Sequence, residues 1–145
     1  MKETLHYLLM SNHMVFQKAL LAGIRDTGLT PGQPKVLDYL KNHDGAFQKE
    51  IAAACHIEPA TLTSVLLGME SKQLITRKTL NGNRRSLYVY LTDKGRELAK
   101  LIETEFDTIE KAALTGFSDK EKELLNDFLT RINDNINKKG AASDE

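Results

Sequence analysis

Apolar side chains recur at helical spacing almost from the start of the chain. Leu5, Leu8, Leu9, Val15, Phe16, Ala19, Leu20 and Ile24 fall on one wide stripe and predict a helix over residues 4–25. The stripe is wider than one packing contact needs, so a partner subunit is the expected use of the excess. Gly28 is the expected stop. Thr30-Pro31-Gly32-Gln33 predicts the next helix start, with Thr30 as cap, Pro31 at the first position and Gln33 closing a capping box. Val36, Leu37 and Leu40 form that helix's buried face, and Asn42-His43-Asp44-Gly45 is turn chemistry that ends it.

Two short helices follow. Residues 48–55 are rich in alanine, which lets a second helix pack closely. His56-Ile57-Glu58 is a tight connection, and Pro59 opens a helix over 59–72. Leu62, Val65, Leu66 and Met69 predict its buried side, and Ala60, Thr61, Thr63, Ser64 and Gly68 its outward side. A helix pair, a three-residue turn and a polar outward face are the parts of a helix-turn-helix.

The period then changes from helical to two. Leu87, Val89 and Leu91 alternate with Ser86, Tyr88 and Tyr90, and residues 74–79 supply the other half of a ribbon. Its tip, residues 80–85, carries Arg84 and Arg85. Thr92 caps a long helix whose stripe is Leu98, Leu101, Ile102, Phe106, Ile109 and Ala113, with Gly116 as its break. Ser118-Asp119-Lys120-Glu121 is a second capping box. The last helix shows Leu124, Leu125, Phe128, Leu129, Ile132 and Ile136, and the polar residues from Lys138 on are expected to fray. The predicted fold is mainly α with a small β-hairpin wing (α+β). It is a winged helix-turn-helix, residues 30–96, with N- and C-terminal helices, 1–25 and 97–138, forming a dimerisation layer within a single domain of residues 1–145.

Charge changes this picture more than composition does. Lysine plus arginine and aspartate plus glutamate are each 20, a net charge of zero. Residues 1–70 carry net −1, residues 71–100 net +6 and residues 101–145 net −5. Phosphate attraction acts over about 8 Å at physiological salt, so the local patch outweighs the average. There is no apolar run long enough to span a bilayer and no signal-peptide pattern at the start, and the single cysteine forms no internal disulfide. These features point to a cytoplasmic protein.

The residues resemble the MarR family of bacterial transcription regulators over nearly the whole chain. The most specific stretch is Asn83-Arg84-Arg85 followed by Leu87, Val89, Leu91-Thr92 and Lys94-Gly95-Arg96. In the family it runs Asp-x-Arg, alternating apolar residues, Leu-Thr and a Gly-Arg pair. Leu29-Thr30-Pro31 with Gln33 and Leu37 matches the family's second helix, and Ile51-Ala52, Ile57, Leu62-Thr63 and Met69-Glu70 its helix-turn-helix. The resemblance implies a homodimer on a pseudo-palindromic operator, usually a repressor released by a small molecule or an oxidant, with Arg85 as the wing arginine of the minor groove. Three positions depart from the pattern: Asn83 replaces an aspartate, Ser64 a basic or larger polar residue, and Gln73 a glycine.

The expected partner is double-stranded DNA. The helix from Pro59 to Ser71 has no Lys or Arg, so it lacks the bidentate arginine–guanine contact. Thr61, Thr63 and Ser64 offer hydroxyls, and Ala60 and the threonine methyls offer apolar contact to thymine, which favours an AT-rich site. Lys35, Gln48, Lys49 and Lys72 are candidates for phosphate contacts, near helix starts that suit anions. Arg84 and Arg85 suit a narrow AT-rich minor groove.

The expected effector is small and aromatic or amphipathic. His6, Met10, His13, Met14 and Phe16 on the first helix are its candidate site. His6 and His13 share a helix face without a Cys or carboxylate cluster, so no metal or other cofactor is expected. Cys55 is read as a small buried hydrophobe rather than a redox sensor. No phosphate loop, nucleophile elbow or His-Glu-x-x-His motif argues for an enzyme. The rival reading is a winged-helix adaptor that binds protein rather than specific DNA.

Overall fold

The computed structural model describes residues 2–79 and 87–143, with side chains through 138. Its element order is α1 (Leu5–Gly23), a 3-10 turn (Arg25–Thr27), α2 (Gln33–Leu40), β1 (Ala46–Phe47), α3 (Gln48–Ala54), α4 (Pro59–Ser71), β2 (Ile75–Thr79), β3 (Leu87–Leu91), α5 (Asp93–Ala113) and α6 (Asp119–Ser143). Residues 1–109 form one compact unit and 110–145 a second. The α+β class and the winged helix-turn-helix are as predicted.

Local chemistry sets the helix ends. Thr4 caps α1 through its side chain, which accepts from the Tyr7 amide at 3.3 Å. Gly28 and Gly116 take left-handed φ values of 75° and 85°, the conformation in which glycine closes a helix end without a Cβ clash. Thr92 Oγ1 accepts from the Gly95 amide at 3.0 Å, so the predicted cap of α5 forms. The second capping box is complete: Ser118 Oγ accepts from the Glu121 amide, and Glu121 accepts from the Ser118 amide. Those bonds hold the Glu121 carboxyl below the usual carboxylate range.

The start of α2 differs from its prediction. The helix begins at Gln33, not Pro31, and Pro34 occupies its first turn. Half of the expected box is present, since Gln33 Oε1 accepts from the Thr30 amide at 3.2 Å. The other half is replaced by a backbone bond from the Gln33 amide to the Thr30 carbonyl.

The core of the first unit gathers around α2. Val36, Leu37, Leu40, Ile51, Leu62, Leu66, Met69, Val89 and Ile102 are fully enclosed, with Leu20 and Ile24 from the end of α1 beside them. Full burial of each such side chain contributes roughly 1.5–3 kcal/mol. On α5 the buried line is Gly95, Ala99 and Ile102, while Leu101 is exposed, contrary to the predicted stripe. The helix starts in close approach to the segment between α4 and β2: a Cβ at Gly95 would overlap the Leu74 carbonyl oxygen. Gly68 likewise turns toward Gln33 rather than outward.

Among the described residues the sheet has three strands in the order β1-β3-β2, all antiparallel. Val89 pairs with Ala46 on one side and Arg77 on the other. The strand β1 was not foreseen; two residues give no periodic signal. It fixes the turn after α2 to the ribbon, where Asp44 Oδ1 also accepts from the Leu91 amide at 2.7 Å. In the second unit α6 runs to Ser143, past the expected fraying point at Lys138.

Candidate nucleic-acid interface

The helix-turn-helix is built by one left-handed residue. His56 adopts φ 53°, and α3 and α4 meet at 110°. Ile57, 8% exposed, plugs the corner, and its amide returns to the Ala52 carbonyl at 3.0 Å. Ile51 and Ala52 pack inward, which the alanine-rich sequence allows. Pro59 then starts α4, with Leu62, Leu66 and Met69 buried beneath it.

The outward face of α4 carries Ala60, Thr61, Thr63 and Ser64, all exposed. Leu67 joins them at 51% exposure, a residue the hydrophobic pattern did not single out. Its place at i+7 from Ala60 and i+3 from Ser64 was the available signal. Gln48, at the start of α3, bridges to this face: its Nε2 donates to Thr63 Oγ1 at 3.3 Å. Thr63 Oγ1 in turn donates to the Pro59 carbonyl at 3.1 Å. Gln48 Oε1 is enclosed and has no hydrogen-bond partner among the described residues. Beside this bridge lies a groove of about 390 Å³ lined by Phe47, Lys49, Ala52 and Leu87 among others.

The candidate cations fall into different places. Lys35 and Lys49 are exposed. Lys72 is not available in the same way: its ammonium donates to Gln33 Oε1 at 2.7 Å and to the Gly28 carbonyl at 2.8 Å. Lys94 donates to the Lys72 carbonyl at 3.0 Å. Arg77 pairs with Glu70 at 2.7 Å and holds that carboxyl below its ordinary range. Arg96 pairs with Asp93 and Asp44. Lys78 stands 5.0 Å from the centre of the Tyr90 ring. The basic character of residues 71–100 is therefore partly spent inside the fold. Arg84 and Arg85, with Asn83, lie outside the described residues.

The first-helix candidates do not converge on one cavity. His6, Met10, His13 and Met14 are exposed, and Phe16 is half-buried. Met14 lines an apolar groove of about 590 Å³ with Val15, Leu21, Ala22 and neighbouring polar residues, and the other four do not line it. Among the described residues no three His, Cys, Asp or Glu side chains come together as a metal-holding group. Cys55 is buried at 9% exposure, and burial pushes its thiol up from the ordinary range. No single described helix is long and apolar enough to cross a membrane.

The MarR family model matches residues 29–87. The HTH-type transcriptional regulator YdgJ of Bacillus subtilis is 32% identical over 111 residues, covering 77% of this chain and 68% of that protein. The HTH-type transcriptional repressor MdtR of the same organism is 34% identical over 89 residues, 59% of this chain and 57% of its own. Among solved structures, the S. aureus MepR–DNA complex superimposes with a TM-score of 0.82 at 28% identity, covering 93% of this chain and 99% of the other. The family match over the helix-turn-helix and the relative aligned across two thirds of its length agree with the geometry, and the chain belongs to the MarR family of transcription regulators, DNA-binding proteins rather than enzymes.

Proposed function

We propose that the protein is a homodimeric repressor of an AT-rich pseudo-palindromic operator, acting in the cytoplasm and released by a small aromatic or amphipathic effector. The carrying observation is the outward face of α4, which offers methyl groups and small hydroxyls without a single cation between Pro59 and Ser71. Such a face suits thymine-rich major grooves and relies on other elements for affinity. Lys35, Lys49 and the wing arginines Arg84 and Arg85 supply that affinity through phosphates and the minor groove. The lobe of residues 30–96 carries these contacts, and the helices of 1–25 and 97–138 carry the dimer.

Support for the dimer comes from α1. Leu5, Leu8, Met10, Met14 and Val15 are each between 44% and 64% exposed in the single chain. Exposed apolar surface of this extent on one helix marks an interaction surface. A twofold dimer sets two copies of α4 about 34 Å apart, one turn of DNA. Support for repression is the likeness to the repressor MdtR. The effector reading keeps His6, Met10, His13, Met14 and Phe16 as candidates, with the groove beside Met14 as the concave part.

Selection of bound fragments from the host's genomic DNA, with wild type and Arg85→Ala in parallel, tests this reading. Enrichment of an AT-rich inverted repeat by wild type, lost in the variant, supports it. Binding that ignores sequence, or that is insensitive to salt, favours the adaptor reading instead, because phosphate contacts release counterions and weaken steeply with salt. The exposed Leu67 on an α4 that carries no cation is the observation on the adaptor's side.

A further inference from the structure

Thr63 is exposed on α4, yet its hydroxyl is used twice inside the protein. It donates to the Pro59 carbonyl at 3.1 Å and accepts from Gln48 Nε2 at 3.3 Å. A threonine hydroxyl has one proton. Once that proton is held by Pro59, Thr63 has no donor for guanine O6 or N7, adenine N7 or thymine O4, the acceptors of the major groove. Turning the Gln48 amide by half a rotation would offer its Oε1 to the same proton, so in either arrangement the donor stays inside the protein. The bond to the carbonyl four residues back also draws Oγ1 along the helix and leaves the γ-methyl as the group presented outward. Ala60 lies three residues before Thr63 and Leu67 four after, so the methyl sits in an apolar strip on one helix face. Among the described residues, Thr61 and Ser64 make no side-chain hydrogen bond, so their hydroxyls keep donors that Thr63 lacks.

We infer that Thr63 reads a thymine through its methyl group, held in place by Gln48, and that it discriminates by the thymine C5-methyl rather than by hydrogen bonding. This rests on the operator-binding reading above. Gln48 is a positioning residue in this scheme: it fixes the Thr63 rotamer from the neighbouring helix and need not touch a base.

The test uses the full-length protein and the operator recovered from genomic selection. Each thymine in both half-sites is replaced in turn by deoxyuridine, which removes only the methyl, and affinity is read by fluorescence anisotropy. Wild type should show a thymine position in each half-site where the loss weakens binding about fourfold, the worth of one buried methyl. Thr63→Ser keeps the hydroxyl and lacks the methyl, so that position should become indifferent to thymine or uracil while the others are unchanged. Thr63→Val keeps a methyl and lacks the hydroxyl, and the helix alone holds valine in one χ1 rotamer where threonine needs its hydroxyl bonds to choose between two, so it should retain the wild-type profile. A bound operator whose uracil profile is the same in wild type and Thr63→Ser overturns the assignment alone. Loss of operator binding in folded Thr63→Val protein overturns it too, since that result demands the hydroxyl. Failure of wild type to select any operator sinks the underlying reading together with this one.

Discussion

Lys72 Nζ donates to Gln33 Oε1 at 2.7 Å, across 39 positions of sequence, and so ties the C-cap of α4 to the first residue of α2. The same ammonium reaches the Gly28 carbonyl, and Gln33 is only 2% exposed. Charged hydrogen bonds contribute about 1.5–3 kcal/mol each, but Gln33 Oε1 keeps the Thr30 amide when the lysine is lost. Lys72→Met, which keeps the aliphatic stem, should therefore cost about 1–2 kcal/mol in urea unfolding. The slope of log affinity against log salt should not change, whereas a lysine on a phosphate would lower it by about 1. Unchanged stability with a shallower slope would put Lys72 back at the DNA interface.

Gln73 departs from the family's glycine, and the backbone shows what that substitution entails. Its φ is 61°, inside the left-handed region, just before β2. A side chain there costs on the order of 1 kcal/mol through its Cβ. Gln73→Gly should raise stability by up to about 1 kcal/mol, less any entropy gained by the unfolded chain. Gln73→Val should lower it by more, because β-branched residues tolerate this region worst. Thermal unfolding of the three proteins measures the order, and a glycine variant less stable than wild type would refute the argument.

Much of the fold was legible because its signals are local. The caps at Thr92 and Ser118, the stops at Gly28 and Gly116, and the switch to period two near Leu87 depend on residues within one turn of each other. What escaped depends on distant partners. Gln33 does form its half of the capping box with the Thr30 amide, but the second bond to its oxygen, from Lys72 on α4, and the place of Pro34 in the first turn of α2 carry no local signal. Leu101 is apolar yet exposed, because the buried line of α5 runs through Gly95, Ala99 and Ile102 instead. The outward face of α4 was legible in its residue types. The commitment of the Thr63 hydroxyl to Pro59 and Gln48 was not, because it arises where α3 crosses α4. The charge of residues 71–100 counts more free cations than the fold leaves, for the same reason: Arg77 and Arg96 pair with Glu70 and Asp44, carboxylates from outside that segment.

The proposed dimer puts a sharp demand on α1. Val15 is 64% exposed and Met14 63%, and neither contributes to the core of the single chain. Val15→Glu should leave the single-chain fold intact and place two like charges at the subunit contact. Sedimentation velocity should then show a monomer at micromolar concentration, where wild type is expected to be a dimer. Operator affinity should fall at least about 100-fold, because the second half-site no longer binds as an intramolecular event. A Val15→Glu protein that stays dimeric would exclude this face of α1 from the interface.

Cys55 closes α3 with its thiol 3.5 Å from the Lys35 carbonyl, buried in the core of the helix-turn-helix. Burial raises its pKa, and the nearby positive charge of Lys35 only partly opposes that rise. The thiolate is the reactive form, so native protein near neutral pH should react with iodoacetamide at least about tenfold more slowly than unfolded chain. The sign of the pH dependence follows from the same shift. The unfolded thiol ionises first, near its ordinary value of about 8.5, while the folded thiol keeps its proton. Its contribution to stability is fully present below that pH and is lost as pH rises through the folded value. Cys55→Ala should remove this alkaline component while the rest of the pH profile remains. Peroxide should leave operator binding unchanged in wild type. Peroxide that abolishes binding in wild type and spares Cys55→Ser would instead make the thiol a sensor, and would require the core of the helix-turn-helix to open for the oxidant to enter.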